Sequence, residues 1–238
     1  MGIFKQDSTT FTSYHATLQI RDRLMGGVPK DPKIIEGWIK KSIGTDQGRD
    51  FALMVRRTLS ELGHDVSIAE EDAEKALADI AGEKQTNGFK RDTGGLFLES
   101  RQVKAMLKES VNILFAGQRW GVTKKGPRSF FAERVFVNPD RIYFDGGSVT
   151  IGHLREPSGI ELFIGHVSGP KGPQSNLTYI EFVERPRIEF EVIVLHDEIK
   201  PADWPEIWNH AEENGLGALR SQGFGRFDVE RFEANGAQ

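Results

Sequence analysis

Cysteine is absent from all 238 residues of the sequence. Its absence excludes disulfide scaffolds, Cys-ligated zinc sites, iron–sulfur clusters and thiol catalysis, and it suits a reducing compartment. Long apolar runs are missing as well. No stretch approaches the roughly 18–20 uninterrupted apolar residues of a membrane helix, and the N-terminal region lacks a signal-peptide pattern. We therefore expect a cytoplasmic protein with no membrane partner.

The sequence has no excess of basic charge either. Its 31 Lys and Arg residues face 35 Asp and Glu residues, which gives a formal net charge of -4. This balance argues against a chain coated in basic charge, such as a histone-like nucleic-acid binder, but it leaves local basic patches open. The acids are concentrated around Glu70–Asp79, where they form the polar face of a predicted helix and are most simply solvated.

Hydrophobic periodicity divides the first half of the chain into strand-like and helical stretches. Apolar residues alternate with Thr or Gln along 14–20, which predicts a half-buried strand. Helical spacing then predicts three helices between residues 31 and 82. At 93–114 the pattern indicates a short strand, a tight corner capped by Ser100, and a helix.

The second half of the chain is richer in predicted strands. Residues 117–173 contain short apolar runs separated by Gly, Pro and Asn, which predicts a β-rich segment without a helix of normal length. Strands are predicted at 177–183 and 187–195, followed by a helix over 203–214 and a closing strand at 224–232. Since no repeat or linker is visible, we expect a single domain.

The most informative motif is a glycine array between the last predicted helix and the closing strand, at Gly215, Gly217, Gly223 and Gly225. A dinucleotide fingerprint needs a strand before its glycines, and a P-loop needs Gly-Lys-Ser/Thr at the start of a helix, so the context excludes both. What remains is a loop that carries Arg220 and Arg226. Glycine lets a backbone approach a sugar-phosphate chain, and arginine can bind phosphate bidentately. The motif therefore predicts contact with nucleic acid.

These residues also resemble a known family. GLGALRSQGFGRF, residues 215–227, is similar to the C-terminal glycine-rich loop of the RAMP superfamily, the CRISPR-associated RNA-binding proteins with ferredoxin-like, RRM-related folds. GGLFLESRQVKAMLKESVNIL, residues 94–114, resembles the strand, corner and basic helix of the backbone-type subunits of that superfamily. LQIRDRLMGGVP, residues 18–29, is similar to their first strand and its exit.

The resemblance implies an α+β fold with a ferredoxin-like (RRM/RAMP-type) antiparallel sheet. One RAMP-like domain would span residues 1–238, with its βαββαβ core at about 11–30, 93–116 and 174–234. A helical insertion would occupy 31–92 and a β-rich insertion 117–173.

The resemblance also implies which residues bind RNA. In the glycine-rich loop they would be Gly215, Gly217, Arg220, Ser221, Gly223, Gly225 and Arg226. At the corner before the 100–114 helix they would be Ser100, Arg101 and Lys104, which would grip the sugar-phosphate backbone. Glu99 stands where the family usually has a small residue or proline.

A basic and aromatic stretch at 119–134 predicts a second contact, independently of the resemblance. Cations release counterions from phosphate, and bases stack on aromatic faces, so this composition is typical of a single-strand binding surface. The predicted contacts are Arg119, Trp120, Lys124, Lys125 and Arg128, beside Phe130 and Phe131.

Catalytic residues are harder to assign. His15 is a candidate general acid or base because RAMP-type processing nucleases often use an N-terminal histidine. Asp22 and Asp92 flank glycine-containing loops and are candidates for metal-assisted cleavage. No Ser-His-Asp arrangement or HExxH motif is visible, and we assign no metal site and no cofactor.

The sequence thus favours an RNA-binding subunit of a CRISPR-type ribonucleoprotein that lies along guide or other single-stranded RNA. Single-stranded DNA is a possible ligand on the same physical grounds, and other subunits or copies of the chain are expected partners. Two alternatives stay open: a metal-independent endoribonuclease that processes CRISPR repeat RNA, and a structural protein that uses the fold for protein–protein contacts.

Overall fold

The computed structural model describes residues 11–30, 60, 86–120, 124–145, 152–169, 172–195 and 199–235. The three helices predicted between residues 31 and 82 lie outside this part of the chain, apart from Ser60. None of the helices in it is long and apolar enough to cross a membrane.

The described residues form strands and three α-helices. In chain order these are β1 (Phe11–Ile20), β2 (Arg23–Met25), β3 (Val28–Pro29), β4 (Thr86–Gly88), β5 (Lys90–Asp92), β6 (Gly95–Glu99), α1 (Ser100–Leu114), α2 (Pro127–Arg134), β7 (Val135–Asn138), β8 (Arg141–Tyr143), β9 (Gly159–Gly169), β10 (Gly172–Glu184), β11 (Arg187–Leu195), α3 (Trp204–Asn214) and β12 (Phe227–Ala234). Short 3-10 turns occupy Pro201–Asp203 and Arg220–Gln222.

The chain divides into two compact units. The first comprises Met1–Leu24, Leu98–Ile151 and Arg185–Gln238, and the second comprises Met25–Phe97 and Gly152–Glu184. The prediction of one domain with two insertions stays a prediction.

The first unit contains a four-stranded antiparallel sheet in the order β12-β1-β11-β7. Taken along the chain, its elements run β1, α1, β7, β11, α3 and β12, which is a βαββαβ unit with its strands in the order 4-1-3-2. That connectivity is ferredoxin-like, so the predicted α+β class and sheet type are confirmed.

One face of this sheet forms the core with α1 and α3. Along β1 the residues Ala16, Leu18 and Ile20 are buried, as strand alternation requires. The helix α3 contributes Trp204 and Trp208, and the Trp204 ring lies 4.9 Å from the ring of Phe232 on β12. Aromatic packing of this kind adds about 0.5–1.5 kcal/mol per pair to the burial of apolar surface.

The start of α1 differs from the prediction that Ser100 caps it. The strand β6 runs to Glu99, whose extended backbone (φ -82°, ψ 137°) makes it the N-cap. The side-chain oxygen of Gln102 accepts a hydrogen bond from the Glu99 N–H at 3.1 Å, as in a capping box. Ser100 is already helical, and its N–H donates to the Asp140 carbonyl at 2.9 Å.

The region 117–173 also differs from prediction, because it contains the eight-residue helix α2. Pro127 at its first position has no N–H to leave unpaired, and its fixed φ favours helix initiation. In addition, β7 pairs with β11 in the core sheet, whereas β10 belongs to the second unit. The glycine and proline spacing identified short strands but carried no information about their partners.

The second unit contains the antiparallel pair β9 and β10, with β4 parallel to β10 and β3 antiparallel to β4. The strands β4 and β5 fall within the predicted helical insertion, so residues 86–92 are not helical. A buried charge cluster fixes these strands: Glu181 binds the Lys30 amine at 2.5 Å, the Arg91 guanidinium at 3.0 Å and the Phe89 N–H at 3.0 Å.

Candidate nucleic-acid interface

The glycine-rich loop lies between α3 and β12, and two of its glycines hold it closed. The Leu216 N–H donates to the Gly225 carbonyl at 2.9 Å, so the two ends of the loop are in contact. A Cβ on Gly225, which has a φ of 75°, would lie 1.8 Å from the Leu216 carbonyl oxygen. A Cβ on Gly215, at φ 79°, would lie 2.8 Å from the Phe224 carbonyl oxygen. These glycines are therefore required by the fold of the loop itself.

The other two glycines face outward. Gly223 has a φ of 90°, and nothing lies within 4 Å of the position its Cβ would take. Next to it Ser221 is exposed at the tip of the loop. Gly217, at φ 84°, lines a groove against α1. At Gly223 the backbone has room to approach a ligand.

That groove, which we call the α1 groove, has a volume of about 190 Å³. Its lining comes from α1 and the loop: Gln102, Ala105, Met106, Glu109, Gly215, Leu216, Gly217 and Arg220. The Arg220 guanidinium binds the Glu109 carboxylate at 2.9 Å. Partial burial would raise the pKa of Glu109, but the hydrogen bond and charge of Arg220 outweigh it, and the pKa lies below its ordinary value. The predicted phosphate ligand Arg220 is thus neutralised within the protein.

Arg226 is also close to an acid, since its guanidinium lies 3.7 Å from Glu213. Glu213 is held more tightly by Arg21, at 2.5 Å, and Arg21 also binds Asp228 at 2.8 Å. The hydrogen bond and charge of Arg21 lower the pKa of Glu213. Arg21 was not among the predicted site residues, because nothing in a lone Arg after a strand shows that it will meet the end of α3.

At the corner before α1, the three predicted contacts have different surroundings. Arg101 is exposed and forms a 2.5 Å ion pair with Glu99. The Lys104 amine donates to the Ala132 carbonyl at 2.8 Å and lies 4.6 Å from the centre of the Phe136 ring. Burial, and then the charge of Lys108, lower the pKa of Lys104. The Ser100 hydroxyl lies 3.5 Å from Asp140.

In the stretch 119–134 the structure describes residues 119–120 and 124–134, and α2 begins at Pro127. Trp120 and Lys125 exchange backbone hydrogen bonds at 2.8 and 3.0 Å, and the Lys125 amine binds Glu133 at 2.6 Å. Phe130 and Phe131 are buried, so the prediction that bases stack beside them is wrong for these two rings. They complete the core because α2, which the sequence reasoning missed, turns both inward.

A second cavity, the Arg119–Arg128 pocket, opens between the end of α1 and the start of α2 and has a volume of about 350 Å³. Its lining is Asn112, Ala116, Gly117, Arg119, Gly126, Pro127, Arg128 and Ser129. No acid lines it, and within the described residues no carboxylate pairs with either arginine. Lys124 is exposed at the adjoining turn.

The helix α1 connects the two cavities. Gln102, Ala105 and Glu109 line the α1 groove, and Asn112 lines the Arg119–Arg128 pocket. Their spacing of three and four residues places them on one face of the helix. From Gln102 to Asn112 this face extends about 15 Å along the helix axis. The predicted loop and the predicted basic stretch therefore meet along a single helix face.

The two catalytic candidates of the first unit, His15 and Asp22, do not converge. His15 lies on β1 with its Nε2 3.9 Å from Glu189, and Asp22 is exposed beyond the end of that strand. The five residues of strand from His15 to Ile20 alone span about 16 Å. Asp92 belongs to the second unit, where its carboxylate accepts the Gly94 N–H at 2.8 Å and closes a turn. Among the residues the structure describes, no group of three His, Asp or Glu side chains is placed to hold a metal ion.

The sheet face opposite the helices carries alternating charge. His15 lies between Glu191 and Glu233, and Thr17 lies between Glu189 and Arg231. RRM-type readout uses aromatic residues in this position, and carboxylates repel phosphate. Its carboxylates therefore make this sheet face a poor nucleic-acid surface, unlike the face of α1.

No protein-family model matches the sequence, and no curated protein matches it. Similar solved structures include a cryo-EM structure of the Type III-B Cmr-beta bound to cognate target RNA, at 12% identity and a TM-score of 0.42. That likeness covers 94% of this chain, which spans 60% of the length of the other. The crystal structure of Cmr6 from Pyrococcus furiosus is similar at 13% identity and a TM-score of 0.34, over 93% of this chain and 100% of that one. Because these identities and TM-scores are low, the ferredoxin-like fold is assigned from the strand order of the core sheet alone.

Proposed function

We propose that this chain is an RNA-binding subunit of a CRISPR-type ribonucleoprotein in the RAMP superfamily. The observation that carries the proposal is that one face of α1 lines two cavities. The glycine-rich loop borders the first, and the basic Arg119–Arg128 pocket is the second. We call this face, from one cavity to the other, the track along α1. The proposed membership of the RAMP superfamily is supported by the similarity of residues 215–227 to the C-terminal glycine-rich loop of that superfamily. The chain would act in the cytoplasm beside other subunits or copies of itself.

Guide or other single-stranded RNA would lie along this face of α1. Phosphates would contact Arg119 and Arg128 at one end of the track and Arg220 at the other. Because Arg220 is held by Glu109, a phosphate must replace that carboxylate or share the guanidinium with it. These contacts are made to the phosphates of the RNA and not to its bases. The affinity should therefore fall as salt rises and should differ little between RNA sequences.

The test is a double variant, Arg220→Gln with Arg226→Gln, measured by fluorescence anisotropy with a labelled single-stranded RNA. Glutamine avoids placing a new carboxylate beside Glu109 and Glu213. We expect at least about a tenfold loss of affinity, since a hydrogen bond to a charged group contributes roughly 1.5–3 kcal/mol. The matched control is Arg187→Gln with Arg231→Gln, which removes two arginines from the acidic sheet face. Equal affinity of both folded variants for RNA contradicts the proposal.

The endoribonuclease alternative has a separate test. It requires cleavage of repeat RNA in the presence of EDTA, a cyclic phosphate on the product, and loss of cleavage in His15→Ala. A protein that binds RNA without cutting it agrees with the proposed binding role. A protein that self-associates without nucleic acid and has no RNA affinity agrees instead with the structural alternative.

A further inference from the structure

The Arg119–Arg128 pocket differs in charge from the surroundings of the other predicted arginine contacts. Arg101, Arg220 and Arg226 each lie within 4 Å of a glutamate, and Lys125 binds Glu133. By contrast, Arg119 and Arg128 both line this pocket, and no described carboxylate pairs with either of them. Two like charges that share a cavity repel each other unless an anion lies between them.

The local backbone keeps this pocket open. Gly126 caps α2 without a side chain, and a Cβ there would lie 3.4 Å from the Arg119 guanidinium. Gly117 has a φ of 82°, and nothing lies within 4 Å of its Cβ position. The pocket adds the Ser129 hydroxyl and the Asn112 amide as neutral hydrogen-bonding groups.

From these observations we infer that the Arg119–Arg128 pocket binds a phosphate group. Guanidinium is planar and matches phosphate oxygens in pairs, and the two arginines balance the two negative charges of a phosphate monoester. A volume of about 350 Å³ holds a phosphate together with its sugar. The source is either a phosphate of an RNA strand, which rests on the proposed function, or a free nucleotide or phosphate ion.

Amide NMR of the full ¹⁵N-labelled chain tests the inference, with sodium phosphate as the probe and ionic strength held constant with NaCl. We expect saturable shifts at the amides of Gly126, Arg128 and Ser129. The variant Arg119→Gln with Arg128→Gln should bind phosphate at least about tenfold more weakly, because two charge-assisted contacts are lost. The Arg187→Gln and Arg231→Gln control should behave as wild type. Shifts that do not saturate, or an unchanged phosphate affinity in the pocket variant, overturn the inference.

Titration with a short single-stranded RNA distinguishes the two sources. If phosphate competes with RNA, and the pocket variant reduces the slope of log K against log salt by about 1.4, the pocket holds phosphates of the strand. If phosphate saturates the pocket but RNA neither binds nor competes, the inference stands with a free nucleotide or phosphate ion as ligand, and the proposed RNA function fails. If RNA binds and phosphate does not saturate the pocket, the proposed function stands and the inference fails.

Discussion

At the scale of single residues, the glycines of the loop have two different roles. Gly225 is fixed by the close approach of Leu216, whereas Gly223 faces open space. We expect Gly225→Ala to lower the free energy of unfolding by at least about 3 kcal/mol, because a positive φ and a steric clash both oppose the side chain. Urea unfolding monitored by the fluorescence of the buried Trp204 and Trp208 measures this.

The matched control is Gly223→Ala. Its φ of 90° is equally unfavourable for alanine, but no atom obstructs the Cβ, so we expect a loss of only about 1–2 kcal/mol. Equal losses in the two variants would show that the contact between Leu216 and Gly225 does not restrain the loop.

Glu181 is the single residue on which the charge cluster of the second unit depends. Burial lowers the pKa of Lys30 although the charge of Glu181 opposes the shift, which shows how strongly this amine is desolvated. Removing the carboxylate charge leaves the Lys30 cation without its buried partner, while Arg91 keeps only the exposed Glu156, at 2.6 Å. We expect Glu181→Gln to cost about 3–5 kcal/mol in urea unfolding followed by far-UV circular dichroism.

Glu184, at the end of the same strand, is exposed and supplies the control. Glu184→Gln should change the free energy of unfolding by less than about 0.5 kcal/mol. A Glu181→Gln variant as stable as this control would mean that the cluster is open to water.

At the scale of elements, α1 presents a carboxylate to the ligand that it is proposed to bind. Glu109 repels phosphate and holds Arg220 at 2.9 Å. We expect Glu109→Gln to raise RNA affinity about threefold, since partly exposed pairs contribute only about 0.2–1 kcal/mol. Glu206→Gln on α3, an exposed acid outside both cavities, is the control and should leave the affinity unchanged in the same anisotropy assay.

The same pair has a pH dependence with a defined sign. The folded state lowers the pKa of Glu109 below 4.5, so the pair stabilises the protein above that pH and loses its effect as the pH falls through the lowered value. Wild type should therefore exceed Glu109→Gln in stability by less than about 1 kcal/mol at pH 7. The difference should diminish as the pH falls below 4.5, and a difference in urea unfolding that stays constant from pH 7 into this acidic range would contradict the assignment.

The elements that the sequence predicted well are those whose signals are local. The helix α3 has a strong apolar stripe and ends at Gly215, where the φ of 79° requires glycine. The strand β11 alternates along its whole length. The helix α2 was missed because its core contacts, Phe130 and Phe131, are adjacent in sequence and do not form a helical stripe.

The sequence pattern did not predict which strands pair when they are far apart along the chain. Nothing in Val135–Asn138 distinguishes a core strand from an insertion, although β7 pairs with β11. The candidate site shows the same division. The loop and the basic stretch were visible as motifs, but the partners Glu109 and Glu213, which neutralise two of the predicted arginines, come from helices that local reasoning could not place beside them.

At the scale of the whole molecule, a net charge of -4 conceals surfaces of different sign. The sheet face opposite the helices carries Glu189, Glu191 and Glu233, while no acid lines the Arg119–Arg128 pocket. Within the part of the chain that the structure describes, these carboxylates oppose attraction to RNA at the sheet face, whereas the pocket favours it. The cations along α1 should then determine how binding responds to salt.

This yields a quantitative expectation for the salt dependence. If Arg119, Arg128 and Arg220 each neutralise one phosphate, the slope of log K against log salt should be about -2.1, since each contact to a single strand contributes about -0.7. Anisotropy titrations from low to high NaCl measure the slope. Oligomers of U and of A with equal length should bind within a few-fold of each other, because phosphate contacts carry no base information. A slope near zero, or strong preference for one base, would place the binding energy in base contacts and exclude the track along α1.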